Sequence, residues 1–167
     1  DYRYWIKDGD WEQFEEEHLQ SVDRAVGLGR KYGIHVHVCM HRCPGYTVAR
    51  PQEGTDLFTD PEAQRVCAKH WAMFARRYRG IPNERLSFNL FNEPPAVEDE
   101  VYGRVAKILI EAIRREDPTR FILADGLGYG RGPVKSLVGI PGVRQSTRGY
   151  TPMSISHYMA SWVGTPT

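Results

Sequence analysis

The chain has 167 residues, of which 41% are hydrophobic and 26% are charged, proportions typical of a globular domain with a buried core. Its net charge of +1 gives no electrostatic signature for binding nucleic acid or an anionic membrane surface. The apolar runs fall far short of the roughly 20 residues that a membrane-spanning helix needs, and the three cysteines predict no disulfide framework.

The first half of the sequence predicts a helix, a strand and a second helix. The first helix spans Asp10 to Lys31, with Asp10 as its N-cap and Gly33 as its C-terminal stop. The first strand follows from Ile34 to His41. After a polar loop, a second helix spans Asp60 to Gly80, with Pro61 in its first turn.

The same alternation continues through the second half. A strand from Leu86 to Pro95 ends at a double proline, and the amphipathic helix after it stops before Asp117. A third strand covers Phe121 to Gly126, a short helix covers Val134 to Val138, and a fourth strand covers Met153 to Met159. Strands that alternate with helices of this length form βαβ units, so the sequence predicts a parallel sheet.

The faces of the strands decide between an open sheet and a closed barrel. Each of the first two strands has one apolar face and one polar face, and in the second strand the polar face carries Ser87, Asn89, Phe91 and Glu93. A doubly wound sheet has helices on both faces and reads as apolar throughout. The inner face of a barrel becomes polar near its mouth, so the pattern predicts a (β/α)8 TIM barrel. Strand alternation then points His41 and Glu93 inward at the carboxyl ends of their strands.

The motif Asn92-Glu93-Pro94-Pro95 is the strongest indication of chemistry in the sequence. A carboxyl group at the inner carboxyl end of a barrel strand suits proton transfer, because barrel enzymes place their catalytic residues there. The alternative is a turn that ends the strand and leaves Glu93 on the surface.

A row of histidines and cysteines occupies every second residue of the first strand, which suggests a metal-binding ladder. Its members are His35, His37, Cys39, His41 and Cys43. At about 3.3 Å per residue the two ends lie over about 25 Å apart, so the five residues cannot converge on one ion. The row therefore predicts no shared metal site, although a metal-binding domain stays open as an alternative function.

Four blocks in order, HRCPGY, HWAMFARRYRGIP, LSFNLFNEPP and QSTRGYTPMSISHYMASWV, resemble glycoside hydrolase family 5, the cellulase-type (β/α)8 barrels. The resemblance covers nearly the whole chain and implies a retaining glycosidase whose substrate is a β-linked oligo- or polysaccharide. It implies that Glu93 is the general acid/base and that Asn92 and His41 contact the sugar at the cleavage site. His157 and Tyr158 resemble the His and Tyr of the family's sixth strand, where the usual spacing is His-x-Tyr.

Aromatic side chains after the strand ends are candidates for stacking on sugar rings, namely Tyr46, Tyr129 and Trp162. The family's nucleophile ends the seventh strand, whereas this sequence matches strands three to six. Residues 1–167 are therefore expected to be part of a catalytic domain, inactive without the nucleophile. Asp125, which precedes a glycine, fits a turn residue better than a substitute nucleophile.

Two further questions stay open in the sequence. An inactive, carbohydrate-binding barrel is the other alternative function, because the expected nucleophile is missing. Members of the family are typically secreted or periplasmic, but no signal peptide is visible here, so the compartment and the oligomeric state are not predicted.

Overall fold

The computed structural model of the protein describes residues 1–163. Two 3₁₀ turns, Tyr2–Tyr4 and Lys135–Leu137, accompany the strands and helices. The strands are β1 (Ile6–Lys7), β2 (Asp10–Phe14), β3 (Val36–Cys39), β4 (Arg42–Cys43), β5 (Tyr46–Thr47), β6 (Leu86–Asn89), β7 (Ile122–Asp125) and β8 (Val143–Ser146). The helices are α1 (Glu16–Tyr32), α2 (Pro61–Arg77), α3 (Asp99–Glu116), α4 (Leu127–Gly130) and α5 (Met153–Ser156).

A four-stranded parallel sheet in the order β3-β6-β7-β8 organises the chain. Val36 lies opposite Leu86 in the first pair, and Ile122 lies opposite Val143 in the last. Each strand therefore pairs with the next parallel strand along the chain, with a helical connection between them. This sequential order is that of a barrel wall, since an open doubly wound sheet reverses its strand order at a switch point.

The two faces of this sheet differ in what covers them. On the outer face, the buried Phe88 ring packs on Trp71 of α2 with 5.1 Å between ring centroids. The Trp71 indole N–H donates to the carbonyl of Leu90 at 3.0 Å, and α2 in turn packs on α3. The inner face carries polar side chains such as His37 and Ser87. Helices on one face and polar groups on the other confirm the prediction of a barrel rather than an open sheet.

Local sequence signals fix the helix ends. The Asp60 carboxylate accepts from the backbone N–H of Glu62 at 2.8 Å, which confirms the predicted start of α2. Gly33 ends α1 in the left-handed conformation, with φ +69°, as predicted. None of the helices within residues 1–163 combines the length and apolarity required to cross a lipid bilayer.

The predicted start of the first helix is wrong. Asp10 begins strand β2, which pairs antiparallel with β1, and α1 starts only at Glu16. The Asp10 carboxylate accepts from the N–H of Glu12 at 2.8 Å. This local bond imitates a helix cap, but the hairpin holds the chain extended and packs Trp11 and Phe14 against the core.

The position of the predicted fourth strand is also wrong. Met153–Met159 forms the short helix α5 followed by turns, and its apolar side chains are exposed. The strand next to β7 is β8, where the Gly126 N–H donates to Ser146 O at 2.9 Å. Alternating apolar residues predict a strand at Met153–Met159. The strand that pairs with β7 is instead β8, which is mostly polar and has Val143 as its one apolar residue.

Candidate active site

Glu93 lies at the carboxyl edge of the sheet, four residues after the end of β6. Beyond Asn89 the chain turns toward β3, where the Asn92 N–H donates to Met40 O at 3.0 Å. Glu93 itself adopts the left-handed backbone conformation, with φ +51°. This conformation is uncommon for a residue with a side chain and costs on the order of 1 kcal/mol, so surrounding contacts must hold it.

The backbone of Glu93 is held on both sides. Its N–H donates to Asp125 Oδ2 at 3.0 Å, and its carbonyl accepts from the Tyr46 hydroxyl at 2.5 Å. Burial raises the pKa of Tyr46, so its hydroxyl keeps its proton and remains a donor. Tyr46 therefore acts on the site as a hydrogen-bond donor to the backbone.

The carboxylate of Glu93 is half-buried and faces two groups from the segment after β8. The Tyr150 hydroxyl donates to Oε1, and the Arg148 Nε lies 3.5 Å from the same oxygen. Burial, together with this hydrogen bond to Glu93, raises the pKa of Tyr150, so Tyr150 also remains a donor. A carboxylate oriented by a phenol and a guanidinium in a partly dry site is suited to exchange a proton with a bound substrate.

Asn92 and Asp125 complete the cluster around Arg148. The Arg148 guanidinium donates to Asn92 Oδ1 at 3.3 Å and to Asp125 Oδ2 at 2.5 Å. Asp125 is fully buried and is the last residue of β7. The expectation that Asp125 is a turn residue is therefore wrong, because it ends the strand and its carboxylate accepts from three donors at the sheet end.

Aromatic side chains pack behind Tyr46 on the helix side of the sheet. Tyr46, Phe58 and Tyr102 of α3 each contact the ring of Phe91 edge to face, with centroids 5.4 to 5.9 Å apart. The prediction that Phe91 faces the barrel interior is wrong, because strand pairing, and with it strict alternation, stops at Asn89.

Three of the predicted site residues have exposed side chains that form no hydrogen bond with Glu93 in the described part of the chain. His41 is exposed, and Tyr158 and Trp162 have 72% and 79% of their surface exposed. His157 is half-buried and contacts the Tyr150 ring edge to face at 4.7 Å, so it reaches the Glu93 cluster only through Tyr150. The structure thus brings together Glu93, Asn92 and Tyr46 of the predicted set.

The sequence gives no indication of Tyr150 as a site residue, and it favours a turn for Asp125 and a surface position as readily as the cleft for Arg148. Arg148 and Tyr150 stand two residues apart directly after β8, which is the spacing expected for the His-x-Tyr pair of the family's sixth strand. Because the sequence predicts that strand at Met153–Met159, the His-x-Tyr spacing points to His157 and Tyr158 instead. A strand at Val143–Ser146 would have led to Arg148 and Tyr150.

Three members of the histidine and cysteine row, His35, His37 and Cys39, line the inner face of the sheet along an open depression of about 530 Å³. His35 Nε2 and His37 Nδ1 both hydrogen-bond the Ser87 hydroxyl, at 2.7 and 2.8 Å. Desolvation, with His35 nearby, lowers the pKa of His37. Within residues 1–163 no three His, Cys, Asp or Glu side chains lie close enough together to hold a metal ion.

Comparison with known proteins identifies the family. The model of the family "Cellulase (glycosyl hydrolase family 5)" matches residues 2–156. Endoglucanase C of Acetivibrio thermocellus is 27% identical over 165 residues, which are 97% of this chain and 48% of that protein. Cellodextrinase A of Ruminococcus flavefaciens is 26% identical over 88% of this chain and 45% of its own length. The chain thus spans about half the length of the curated relatives it matches.

Solved structures agree with this result. A crystal structure described as a glycoside hydrolase superposes with a TM-score of 0.92 at 36% identity, over 99% of this chain and 52% of that one. A hyperthermophilic endo-β-1,4-glucanase in complex with substrate shares the fold, with a TM-score of 0.77 at 20% identity over 98% of this chain and 51% of that one. The described sheet and helices are therefore about half of a (β/α)8 barrel, and the chain belongs to glycoside hydrolase family 5, the cellulase family.

Proposed function

We propose that the whole protein is a retaining glycoside hydrolase that acts on β-linked glycans, with Glu93 as its general acid/base. The observation that carries the proposal is the arrangement of Glu93. Its backbone is fixed on both sides, and its half-buried carboxylate meets the Tyr150 hydroxyl and the Arg148 guanidinium. This preorganisation lets one carboxyl group deliver and then recover a proton at a defined position.

The proposed reaction has two steps. In the first, Glu93 protonates the leaving glycosidic oxygen while a nucleophilic carboxylate attacks the anomeric carbon and forms a glycosyl-enzyme bond. In the second, Glu93 removes a proton from water as the water displaces that carboxylate. Asn92, beside Glu93 on the same turn, is proposed to contact the sugar 2-hydroxyl. The chemistry requires no metal or organic cofactor.

A retaining mechanism needs a second carboxylate about 5 to 5.5 Å from the first. Asp125 is the carboxylate in direct contact with the backbone of Glu93, but it is fully buried and both of its oxygens accept hydrogen bonds. It is therefore a poor nucleophile. We propose that β3, β6, β7 and β8 are strands three to six of the barrel and that the nucleophile comes from a later strand.

Names of the relatives support a glucan or a related β-glycan as substrate. The curated matches are named endoglucanase and cellodextrinase, and one solved structure of the same fold, Thermotoga maritima Cel5A, is described in complex with mannotriose. We propose an oligo- or polysaccharide substrate of this type, with the exposed Trp162 and His41 available to contact sugar units that extend from the cleavage site.

Replacement of Glu93 tests the proposed function. In the whole protein, Glu93→Gln should lower kcat/KM on cello-oligosaccharides by about 10² to 10⁴, the usual contribution of general acid/base catalysis, while glycan binding persists. Glu98→Gln is the matched control, because Glu98 precedes α3 and its side chain makes no capping hydrogen bond. Undiminished hydrolysis by Glu93→Gln would refute the role, and binding without turnover by the unmodified protein would indicate an inactive, carbohydrate-binding barrel.

A further inference from the structure

Asp125 carries a fully buried negative charge at the end of β7. Asn89 donates to Oδ1 at 2.8 Å, while the Glu93 N–H and Arg148 Nη2 donate to Oδ2 at 3.0 and 2.5 Å. A buried carboxylate is costly unless it is paired and hydrogen-bonded. All of these donors come from the two neighbouring strands or the segments directly after them, so Asp125 joins three parts of the sheet at one point.

One of these bonds acts directly on the backbone of Glu93. The Glu93 residue is held at φ +51°, and the bond from its N–H to Asp125 fixes one side of that unfavourable conformation. The Tyr46 hydroxyl fixes the other side. Loss of the Asp125 carboxylate would free the residue to relax toward negative φ, which would swing its side chain away from its present position.

Arg148 links the Asp125 carboxylate to the side chains of Asn92 and Glu93. Its guanidinium contacts Asp125, Asn92 Oδ1 and, at 3.5 Å, Glu93 Oε1, and it also donates to Ser146 Oγ at 2.8 Å. A planar guanidinium held by one carboxylate presents its remaining N–H groups in a fixed direction. Asp125 therefore orients Arg148, and Arg148 in turn limits where the Glu93 carboxylate can lie.

We propose that Asp125 and Arg148 form a positioning pair for the acid/base residue, in which the Asp125 carboxylate holds the Glu93 backbone and Arg148 holds its side chain. The inference rests on the proposed role of Glu93. Neither residue of the pair donates or accepts the transferred proton. Their contribution is to place the Glu93 proton on the leaving oxygen.

The leaving group of the substrate provides the test. A substrate with a good leaving group, such as a dinitrophenyl β-cellobioside, departs without a proton, whereas a cello-oligosaccharide needs one. In the whole protein, Asp125→Ala should lower kcat/KM on cello-oligosaccharides by about 100-fold and on the dinitrophenyl substrate by less than about tenfold. Equal losses on both substrates, or no loss on either, would overturn the proposal.

Conservative variants keep the test informative if Asp125→Ala folds poorly. An Asn at position 125 can still accept from the Glu93 N–H. The new amide NH2 would then face the Asn89 side chain. Asn89 can rotate its own amide and accept from it through Oδ1, because Oδ1 has no other hydrogen-bond partner among the described residues. Asp125→Asn should therefore restore much of the rate on cello-oligosaccharides, and Arg148→Met should show the same selective loss as Asp125→Ala. A loss in Asp125→Asn as large as in Asp125→Ala would also count against the proposal.

A second buried ion pair serves as the matched control. Asp117 and Arg120 lie 2.7 Å apart and are both buried, before the start of β7 and so at the opposite end of the sheet from Glu93. Asp117→Ala should reduce stability without changing the ratio of the two rates. The Glu93→Gln variant separates the two proposals. If it shows the selective loss and Asp125→Ala does not, only the positioning pair is refuted, and if it shows none, both proposals fall.

Discussion

His70 should make the stability of the fold depend on pH. The imidazole is fully buried on α2, and the rings of Tyr2 and Phe14 meet it edge to face. The Trp5 indole N–H donates to His70 Nδ1 at 3.0 Å, so Nδ1 carries no proton, and Nε2 donates to Trp11 O at 2.8 Å. A second proton on His70 would make Nδ1 a donor that faces the Trp5 N–H donor, so the fold disfavours the charged ring.

Burial lowers the pKa of His70 from 6.5 to about 4. The folded state binds the proton less readily than the unfolded chain. The contribution of neutral His70 to the free energy of unfolding is therefore complete above pH 6.5. It is lost as the pH falls from 6.5 toward 4, and below that both states are protonated. At about 1.4 kcal/mol per pH unit, the loss reaches about 3 kcal/mol, a large share of the roughly 5 to 15 kcal/mol that stabilises a typical domain.

Urea titrations at about pH 7 and about pH 4.5, followed by tryptophan fluorescence, measure this effect as a free energy of unfolding. Gln at position 70 can accept from Trp5 and donate to Trp11 O but does not titrate. We therefore expect the unmodified protein to lose about 2 kcal/mol more than His70→Gln between the two pH values. His18→Gln, on the exposed face of α1 beside Tyr4, should behave like the unmodified protein. Equal pH dependence of the unmodified protein and His70→Gln would refute the reasoning.

Three further predictions concern turns, caps and thiols. Gly45 has φ +79°, and a Cβ there would lie 2.7 Å from the Leu57 backbone N. Gly45→Ala should therefore lower the thermal midpoint and cost about 1 to 3 kcal/mol of stability. Gly54→Ala is the control and should cost little, because the space around Gly54 is open. Asp60→Ala removes a capping hydrogen bond of α2 and should lower the free energy of unfolding in urea by about 1 kcal/mol. Glu98→Ala should lower it by less, because the Glu98 side chain makes no capping hydrogen bond. Burial raises the pKa of the Cys39 thiol to about 12 and that of the Cys43 thiol well above its ordinary value. A thiol reagent at about pH 8 should therefore modify neither cysteine in the folded protein but both in urea. Rapid modification of these cysteines in the folded protein would contradict this prediction.

The position of Glu93 could be predicted because its determinants are local. A strand with one apolar face, a double proline and an Asn-Glu pair are all contiguous in sequence, and they place a carboxyl group at the sheet edge. The helices α2 and α3 were predictable for the same reason, since caps and amphipathic spacing act within a few residues.

The partners of Glu93 could not be predicted because they depend on strand pairing. Strand β8 has little apolar signal of its own and exists because β7 offers it backbone hydrogen bonds. Without β8, the sequence predicts no position at the sheet edge for Arg148 and Tyr150. It predicts a turn at Asp125, because the donors that keep the Asp125 carboxylate buried come from other strands.

The Ser87 hydroxyl between two histidines fixes the order of protons along the inner face. His35 Nδ1 lies 3.1 Å from the carbonyl of Glu84, which can only accept, so in the neutral ring Nε2 is unprotonated. Ser87 must then donate to His35, and its oxygen accepts from Nδ1 of His37. A neutral His37 is thereby left with a bare Nε2. The hydrogen bonds from His37 through Ser87 to His35 thus all point in one direction. A group that binds Nε2 of neutral His37 must therefore donate a hydrogen bond.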